Sequence, residues 1–461
     1  MQIQFTDTLT ATDAKRHIVH KFQLAEPASH LRIRLWHDEG GYNYATEHLS
    51  NMLTLTVFDP HGFRGEGHRG GDEAASGRLH EVVLTPTTAT PGYLVGALPA
   101  GEWRVVINTH RITDVVLCNY MLDVESTDVT DTPAAQPINE TTRTQTQPSM
   151  GGWLRGDLHA HTVHSDGHWD VPDVLAHARK FKLDFVTLTD HNTTSALVQM
   201  DAANTSELLT MGGLELTTFH GHALALGVRQ WVNWHWDEDH AMRDIPQQLQ
   251  AQNATFIIAH PKSMGDPICT GCDWTYPDML PGTAKIVEVW NGGPWRSDSN
   301  NEEALRLYYG WLNQGYRLVA TSGTDVHGPY PDGVRPGFDV VYASERSEQA
   351  ILQAIRAGHL YLSSGPHLEL TAEAANGQSA MMGDALNGLA AHITARWEGC
   401  SAGQRLHLVM DGEPLVQLPV LGEGSHTQSL RGQTAAWCAA ELRADDGELL
   451  ALTNPIFFRA A

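Results

Sequence analysis

Asp157-Leu158-His159-Ala160-His161-Thr162-Val163-His164-Ser165-Asp166-Gly167 brings three histidines and two carboxylates into eleven residues, at the end of an apolar run that starts at Trp153. Side chains alternate along a strand with period two, so His159 and His161 point to the same side. Two neutral imidazoles followed by a carboxylate on a Ser-Asp-Gly turn make a natural half of a metal site. A solvated surface segment can also be histidine-rich, and an isolated His-x-His does not separate the two readings. The rest of the chain does.

Downstream of this segment the rhythm is strand, helix, strand. Asp170 precedes VPDVLAHARKFK, which has a capping carboxylate and a proline in its first turn, so a helix is expected there. DFVTLTDH is a continuous apolar strand, followed by a weaker helical pattern over 195–207. LLTMGGLELTT, HALALGV, ATFIIAHP, KIVEVWNG, RLVATSGTDVH and FDVVYA read as further strands, with helices around 238–252, 301–314 and 347–357. Apolar strands alternating with helices indicate a parallel sheet covered on its outer side. About seven such units favour closure into a (β/α) barrel over residues 153–365.

Outside that region the pattern is β only. Residues 1–125 alternate apolar and polar residues in short runs (HIVHKFQL, HLRIRLW, LTLTVFD, EVVLT, YLVGAL, EWRVVINTH, VVLCNYMLDV), which predicts an N-terminal β-sandwich. Residues 126–152 are rich in Thr, Pro and Gln and read as a linker or a strand-like wrap over the surface. Residues 366–461 return to short alternating runs such as LELTAEA, HITARWE, QRLHLVMDG and NPIFFRA, and predict a small C-terminal β-sandwich.

With 461 residues, two or three domains are expected. The net charge of −24 argues against nonspecific nucleic-acid binding, which needs a basic footprint, and against an anionic membrane surface. It leaves a small anionic substrate open, because bound cations reverse the potential locally. The opening residues lack the basic-then-apolar order of a secretory leader, which predicts a cytoplasmic location. Five cysteines (Cys118, Cys269, Cys272, Cys400, Cys438) do not form a secreted disulfide framework. Cys269 and Cys272, the close pair, read as a redox pair or two loop thiols rather than a zinc knuckle.

In barrels of this kind the chemistry gathers at the C-terminal strand ends. His159 and His161 end the first strand, and Asp190-His191 end DFVTLTDH. Glu215 lies in GGLELTT with His222 just after it, His260 ends ATFIIAHP, and Asp325 and His327 end the GTDVH run. One such case is explained by a satisfied core histidine; six coincident strand ends point to a metal site.

These segments resemble the PHP family, named for polymerase and histidinol phosphatase proteins: DLHAHTxxSDG, then TDH, a Gly-x-Glu with a later histidine, AHP, and SGTDVH, in that order over 153–345. ELTTFHGHALALG, EVWNGG and YLSSGPHLEL look like its CehA/McbA-type, carbaryl-hydrolase-like branch. The resemblance implies an α/β fold: a distorted (β/α)7 PHP barrel, here flanked by β-sandwich domains. It also implies two or three divalent metals, zinc, manganese or iron. His159, His161, Glu215 and Asp325 would hold the first. Glu215 would bridge to a second completed by His222 and His260. Asp166, His191 and His327 would hold a third. Many relatives have histidine where this chain has Asp166, and an oxygen donor there favours harder ions such as manganese. His220 is the alternative to His222, and His164 is expected outside the ligand set.

The reaction implied is hydrolysis of a phosphomonoester or phosphodiester by a metal-bridging hydroxide. Hydrolysis of a carboxylic or carbamate ester is the alternative enzyme reading, and a noncatalytic metal-binding module the alternative of another kind. Asp157 and Asp190, each beside a ligand, are candidates to orient imidazoles, or else turn caps. Asn291, Lys262, Arg296 and Arg335 sit on loops after strands and are candidates to meet an anionic substrate. The flanking β-domains would shape access to the barrel mouth or form a contact between subunits of a homo-oligomer.

Overall fold

The computed structural model describes residues 1–40, 49–68, 72–74, 77–113, 117–128, 150–235, 241–297, 299–387, 390–430 and 435–459. Most of the linker expected over 126–152 lies outside them. The N-terminal part carries β1 (Gln2–Leu9), β2 (His17–Leu24), β3 (Ala28–Asp38), β4 (Met52–Asp59), β5 (Gly62–Gly67), β6 (Asp72–Ala74), β7 (Gly77–Leu84), β8 (Gly101–Arg111) and β9 (Cys118–Asp128). They form two antiparallel sheets, ordered β1-β9-β3-β7-β6 and β2-β8-β4-β5. Alternation in the sequence becomes alternation in burial. Leu31, Ile33 and Leu35 of β3 meet Leu55 and Val57 of β4 and Val105 and Ile107 of β8 in one core. YLVGAL is not a strand as expected. It is a turn segment in which Tyr93, Leu94 and Leu98 are buried and Val95 is exposed; it makes only single bridges, at Tyr93 and Leu98, and its Tyr93 hydroxyl donates to the Leu55 carbonyl.

The middle part runs β10 (Met150–Asp157), α1 (Val171–Lys180), β11 (Phe185–Thr187), α2 (Leu197–Ala202), β12 (Leu209–Met211), β13 (Gly213–Thr217), β14 (His222–Leu226), α3 (Ile245–Ala251), β15 (Thr255–Ile258), β16 (Ile286–Asn291), α4 (Asn301–Asn313), β17 (Val319–Gly323), β18 (Phe338–Glu345), α5 (Glu348–Ala357) and β19 (Leu360–Ser363). Asp170 caps α1 in a reciprocal box with Asp173, as its sequence predicts.

Two expectations for this part need correction. The strands are not all parallel: β14 runs antiparallel to both β13 and β15, and β10 antiparallel to β18. Residues 218–221 leave no room between β13 and β14 for a crossover, so a hairpin is forced. Nor do the described strands pair into a closed barrel. LLTMGGLELTT breaks at Gly212, where the Arg229 side chain lies too close for a Cβ, and its halves join different sheets. β12-β11-β10-β18-β19 and β13-β14-β15-β16-β17 touch at two seams of one bridge each, Ala160 to Val326 and His191 to Glu215. Both seams lie among the histidines singled out above.

β20 (His367–Ala374), β21 (Ser379–Met381), β22 (Ala385–Asn387), β23 (Ala390–Met410), β24 (Glu413–Ser429), β25 (Trp437–Ala444), β26 (Leu449–Thr453) and β27 (Ile456–Arg459) complete the chain. They do not make the separate sandwich expected. β26 pairs with β19, so these strands continue the middle sheet into one of thirteen strands. An open edge on β19 would offer unpaired backbone groups, and β26 covers it. Asn454 fastens the junction, accepting from Ala320 N at 2.7 Å and donating to Ala320 O at 2.9 Å. No helix among the described residues is long and apolar enough to cross a membrane.

Candidate metal centre

The mouth where the two seams meet gathers nine of the residues named from sequence. His159 and His161 follow β10, His191 follows β11, His260 follows β15, and Asp325 and His327 follow β17. Glu215 and His222 come from the β13–β14 hairpin. Thr217 pairs with His222, so His222 projects on the same face as Glu215 two residues earlier. His222 thus begins its strand, and the antiparallel turn returns it to the same end of the sheet. His260 (φ 25°) and Asp325 (φ 49°) both adopt left-handed backbone, which turns their side chains inward at the strand ends.

Glu215 is the hub. Its Oε2 lies 3.2 Å from His159 Nε2, 3.3 Å from His161 Nε2 and 2.9 Å from His191 Nδ1. Its Oε1 lies 3.0 Å from both His222 Nδ1 and His260 Nε2. Asp325 Oδ1 lies 2.9 Å from His161 Nε2 and 3.4 Å from His159 Nε2. On the outer side, Asp166 Oδ1 lies 3.2 Å from His327 Nε2 and 3.4 Å from His191 Nε2.

Three groups offer atoms spaced to hold a cation: His159, His161, Glu215 and Asp325; His161, Asp166, His191 and His327; and His191, Glu215 and His222. His159 Nε2, both nitrogens of His161, His222 Nε2, Glu215 Oε2, Asp166 Oδ1 and Asp325 Oδ1 are buried without a hydrogen-bond partner. Buried polar atoms are normally paired, because leaving one bare costs about 1–3 kcal/mol. So many bare donor atoms in one place make a set that could hold divalent cations, and nitrogen and oxygen donors suit them.

Several ring nitrogens are also held by neighbours other than Glu215. Glu288 Oε1 lies 3.0 Å from His159 Nδ1, and Thr217 Oγ1 lies 2.5 Å from His191 Nδ1. His260 Nδ1 donates to the Cys272 carbonyl at 3.0 Å, and His327 Nδ1 to the Asp325 carbonyl at 2.7 Å. Asp157 and Asp190 do not orient imidazoles; they act as turn caps. Asp157 accepts from the backbone of His159 (3.2 Å) and Thr324 (3.0 Å), tying the two ligand-bearing turns together. Asp190 accepts from Thr162 N and Ser165 Oγ, each at 2.7 Å, and so shapes the turn that presents Asp166. Glu288 is a residue sequence reasoning missed. A carboxylate inside the apolar run KIVEVW was its signal, since burial of such a group demands a partner.

Burial disfavours charge throughout the centre; it prevails at His222, which is lowered despite Glu215, while opposite charges outweigh it at the groups that follow. Asp325, Glu288 and Glu215 outweigh burial and hold His159 well above the usual histidine value. Asp166 and Glu215 do the same for His191. Against burial, hydrogen bonding to Asp166 raises His327 to about 9. The neighbouring histidines hold Glu215, Asp166 and Asp325 well below the carboxylate range despite burial.

The proposed substrate contacts are scattered. Asn291 is buried, donating to Glu288 Oε2 (3.0 Å) and Asp325 Oδ2 (3.3 Å), so it buttresses the centre. Arg296 runs against its expected role: it pairs with Asp446 at 3.2 Å and donates to the Asp446 carbonyl. Arg335 is exposed and lines a separate cavity with Ser364, Gln404 and Leu450. Lys262 is exposed after β15. His220 is exposed and meets Tyr276, while His164 lies 2.7 Å from Ser195 Oγ. Cys269 and Cys272 form a disulfide, and Cys118, Cys400 and Cys438 are free and buried.

The N-terminal sheets close over this mouth. Glu66, fully buried at the end of β5, accepts from Asn192 Nδ2 (2.9 Å) and Trp234 Nε1 (3.1 Å). Arg111 donates to the carbonyls of Pro267 and Ile268, and His17 stacks on Phe219. None of these contacts was legible in the N-terminal sequence, which carries no motif.

No protein-family model and no curated protein matches the chain. Among solved structures, it is similar to a Bacteroides vulgatus protein named as a "two-domain protein containing predicted PHP-like metal-dependent phosphoesterase". Identity is 18%, over 69% of this chain and 100% of that one, with a TM-score of 0.38. It is also similar to an amidohydrolase from Chromobacterium violaceum with bound sulfate and no metal. Identity there is 16%, over 38% of this chain and 88% of that one, with a TM-score of 0.28. At TM-scores this low, the geometry of the centre carries the functional reading.

Proposed function

We propose that this chain is a metal-dependent hydrolase of the PHP type acting on a phosphomonoester or phosphodiester. The observation that carries the proposal is the set of buried, unpartnered nitrogen and oxygen donors converging on Glu215. His159, His161, Glu215 and Asp325 hold one divalent ion in this reading. Glu215, His222 and His260 hold a second, and Asp166, His191 and His327 a third. Such ions supply a nucleophile from water near neutral pH and countercharge for the ester's oxygens.

The chain's own residues set the rest. Glu288 and the Cys272 carbonyl fix the rings of His159 and His260, so the opposite nitrogens face the centre. Asp157 and Asp190 hold the turns that carry His159, Asp166 and Asp325. The inner ligands Glu215, His159 and His161 are fully buried, whereas the side chains of Asp166 and His327 are about a third exposed. Substrate therefore approaches from the Asp166 side. Asp166, Glu215, Asp325 and the adjoining Glu288 bring four carboxylates, so three dications would leave the centre net positive, which favours an anionic ester in a protein that is otherwise acidic.

The phrases ELTTFHGHALALG and YLSSGPHLEL support a second reading, hydrolysis of a carboxylic or carbamate ester. Metal-loaded protein assayed on p-nitrophenyl phosphate, bis-p-nitrophenyl phosphate and p-nitrophenyl acetate separates the two. Phosphoester turnover supports the first reading; acetate turnover without phosphoester turnover reverses the order. A noncatalytic module would turn over none of the three.

A further inference from the structure

The edge strand β5 enters the mouth of the centre and is fastened there. Asn192, which donates to Glu66, directly follows His191 and is itself locked to Thr217, accepting from its N at 2.9 Å and donating to its O at 2.8 Å. Two residues beyond Glu66, the His68 ring lies 4.2 Å from the His191 ring, tilted by 37°. His68 is 7% exposed, and its Nδ1 is buried without a hydrogen-bond partner. His110 stands edge-on behind it at 5.4 Å, with its own Nε2 3.0 Å from Thr54 Oγ1. His68 belongs to none of the groups spaced to hold a cation. Its Nδ1 is thus a bare polar atom set beside His191 by another part of the chain, within electrostatic range of the partly exposed Asp166. Its missing partner has to come from something that enters the site.

We propose that His68 is a substrate-binding residue that the N-terminal β-region contributes to the centre, hydrogen-bonding a non-bridging oxygen of the anionic ester beside Asp166, His191 and His327. The identity of the ligand rests on the hydrolase reading above; the placement of His68 does not. The proposal also gives the N-terminal sheets a role, since their docking through Glu66 completes the binding site.

The test uses the metal-loaded full chain with inorganic phosphate as probe, comparing wild type with His68→Ala, His68→Phe and His68→Gln. Metal content, the phosphate dissociation constant by calorimetry, and KM and kcat for bis-p-nitrophenyl phosphate are measured on each. Metal content is expected to stay at the wild-type level in all four. Phosphate binding is expected to weaken about tenfold in the Ala and Phe variants, with KM rising in parallel, and to recover in part with Gln, whose amide keeps a donor. Equal phosphate affinity in all four proteins overturns the proposal, as does a wild type that binds no phosphate. Gln behaving no better than Phe overturns it too, since volume alone would then matter. Loss of metal from the His68 variants would make the residue a ligand or a structural support instead. If wild type binds phosphate but hydrolyses no ester, the hydrolase reading fails, while the phosphate titrations still decide the contact.

Discussion

Glu288 and His159 meet inside the sheet, Oε1 to Nδ1 at 3.0 Å, with neither side chain exposed to solvent. The carboxylate also accepts from His260 N at 2.9 Å and from Asn291 Nδ2 at 3.0 Å, so one buried group aligns parts of three strand ends. Glu288→Gln keeps the shape but removes the charge that fixes the His159 ring. Metal affinity is expected to fall by about 10–100-fold, the usual cost of losing such a partner. Competition with a chelating dye measures it, and unchanged affinity would remove Glu288 from the account.

Gly323 closes the same arrangement from the other side. A Cβ there would lie 2.1 Å from Glu288 Oε1 and 2.4 Å from His159 Cβ. Gly323→Ala is expected to displace both side chains and to abolish high-affinity metal binding. It should also lower the melting temperature, because the clash falls in a packed core. A variant that retains wild-type metal content would contradict the packing described here.

The centre's charge pairs set opposite pH dependences with and without metal. In the chelated protein, folded-state values are raised from the ordinary histidine value of 6.5 for His159, His191 and His260, and to about 9 for His327. The stability from these pairs is present below about pH 6.5 and is lost as pH rises through each raised value, which for His327 is about 9. Metal must displace those protons, so its stabilising effect should grow over the same interval. Thermal scans of chelated and metal-loaded protein across that range test both slopes. Parallel curves would mean that the histidines do not exchange protons for metal.

Glu66 gives a separate titration. Burial raises its carboxyl from 4.5 to about 7, partly offset by hydrogen bonds from Thr56, Trp234 and Asn192. Its folded-state value lies above the unfolded one, so stability is lost as pH rises from about 4.5 through about 7, by roughly 3 kcal/mol. Glu66→Gln removes this dependence. Denaturant titrations at about pH 5 and about pH 8 should show the variant gaining on wild type at the higher pH. No difference in slope would show that Glu66 is not carrying a proton into the interface.

The clustering of these residues was legible in the sequence because strand ends announce themselves. His159, His191, His260 and Asp325 each close an apolar run within three residues of a turn-forming residue (Thr162, Thr193, Pro261 and Gly328), and the fold brings them together. The direction of β14 was harder to read, since HALALGV has the same composition in a parallel or an antiparallel strand; only the shortness of residues 218–221 carried that information. A closed barrel was expected from the count of strands, but Gly212 and the single-bridge seams are consequences of packing that no periodicity encodes. The continuity of β19 with β26 and the approach of His68 to His191 join residues about 90 and 120 positions apart, and such pairings have no local signature.

The central claim is that Glu215 stands between divalent metals. Anomalous diffraction from crystals grown at neutral pH with manganese, combined with elemental analysis of the same protein, tests it most directly. Two or three metal peaks are expected, at least one within coordination distance of a Glu215 oxygen and of His159 and His161. Protein that holds no transition metal after purification and reloading, or peaks that lie away from Glu215, would contradict it.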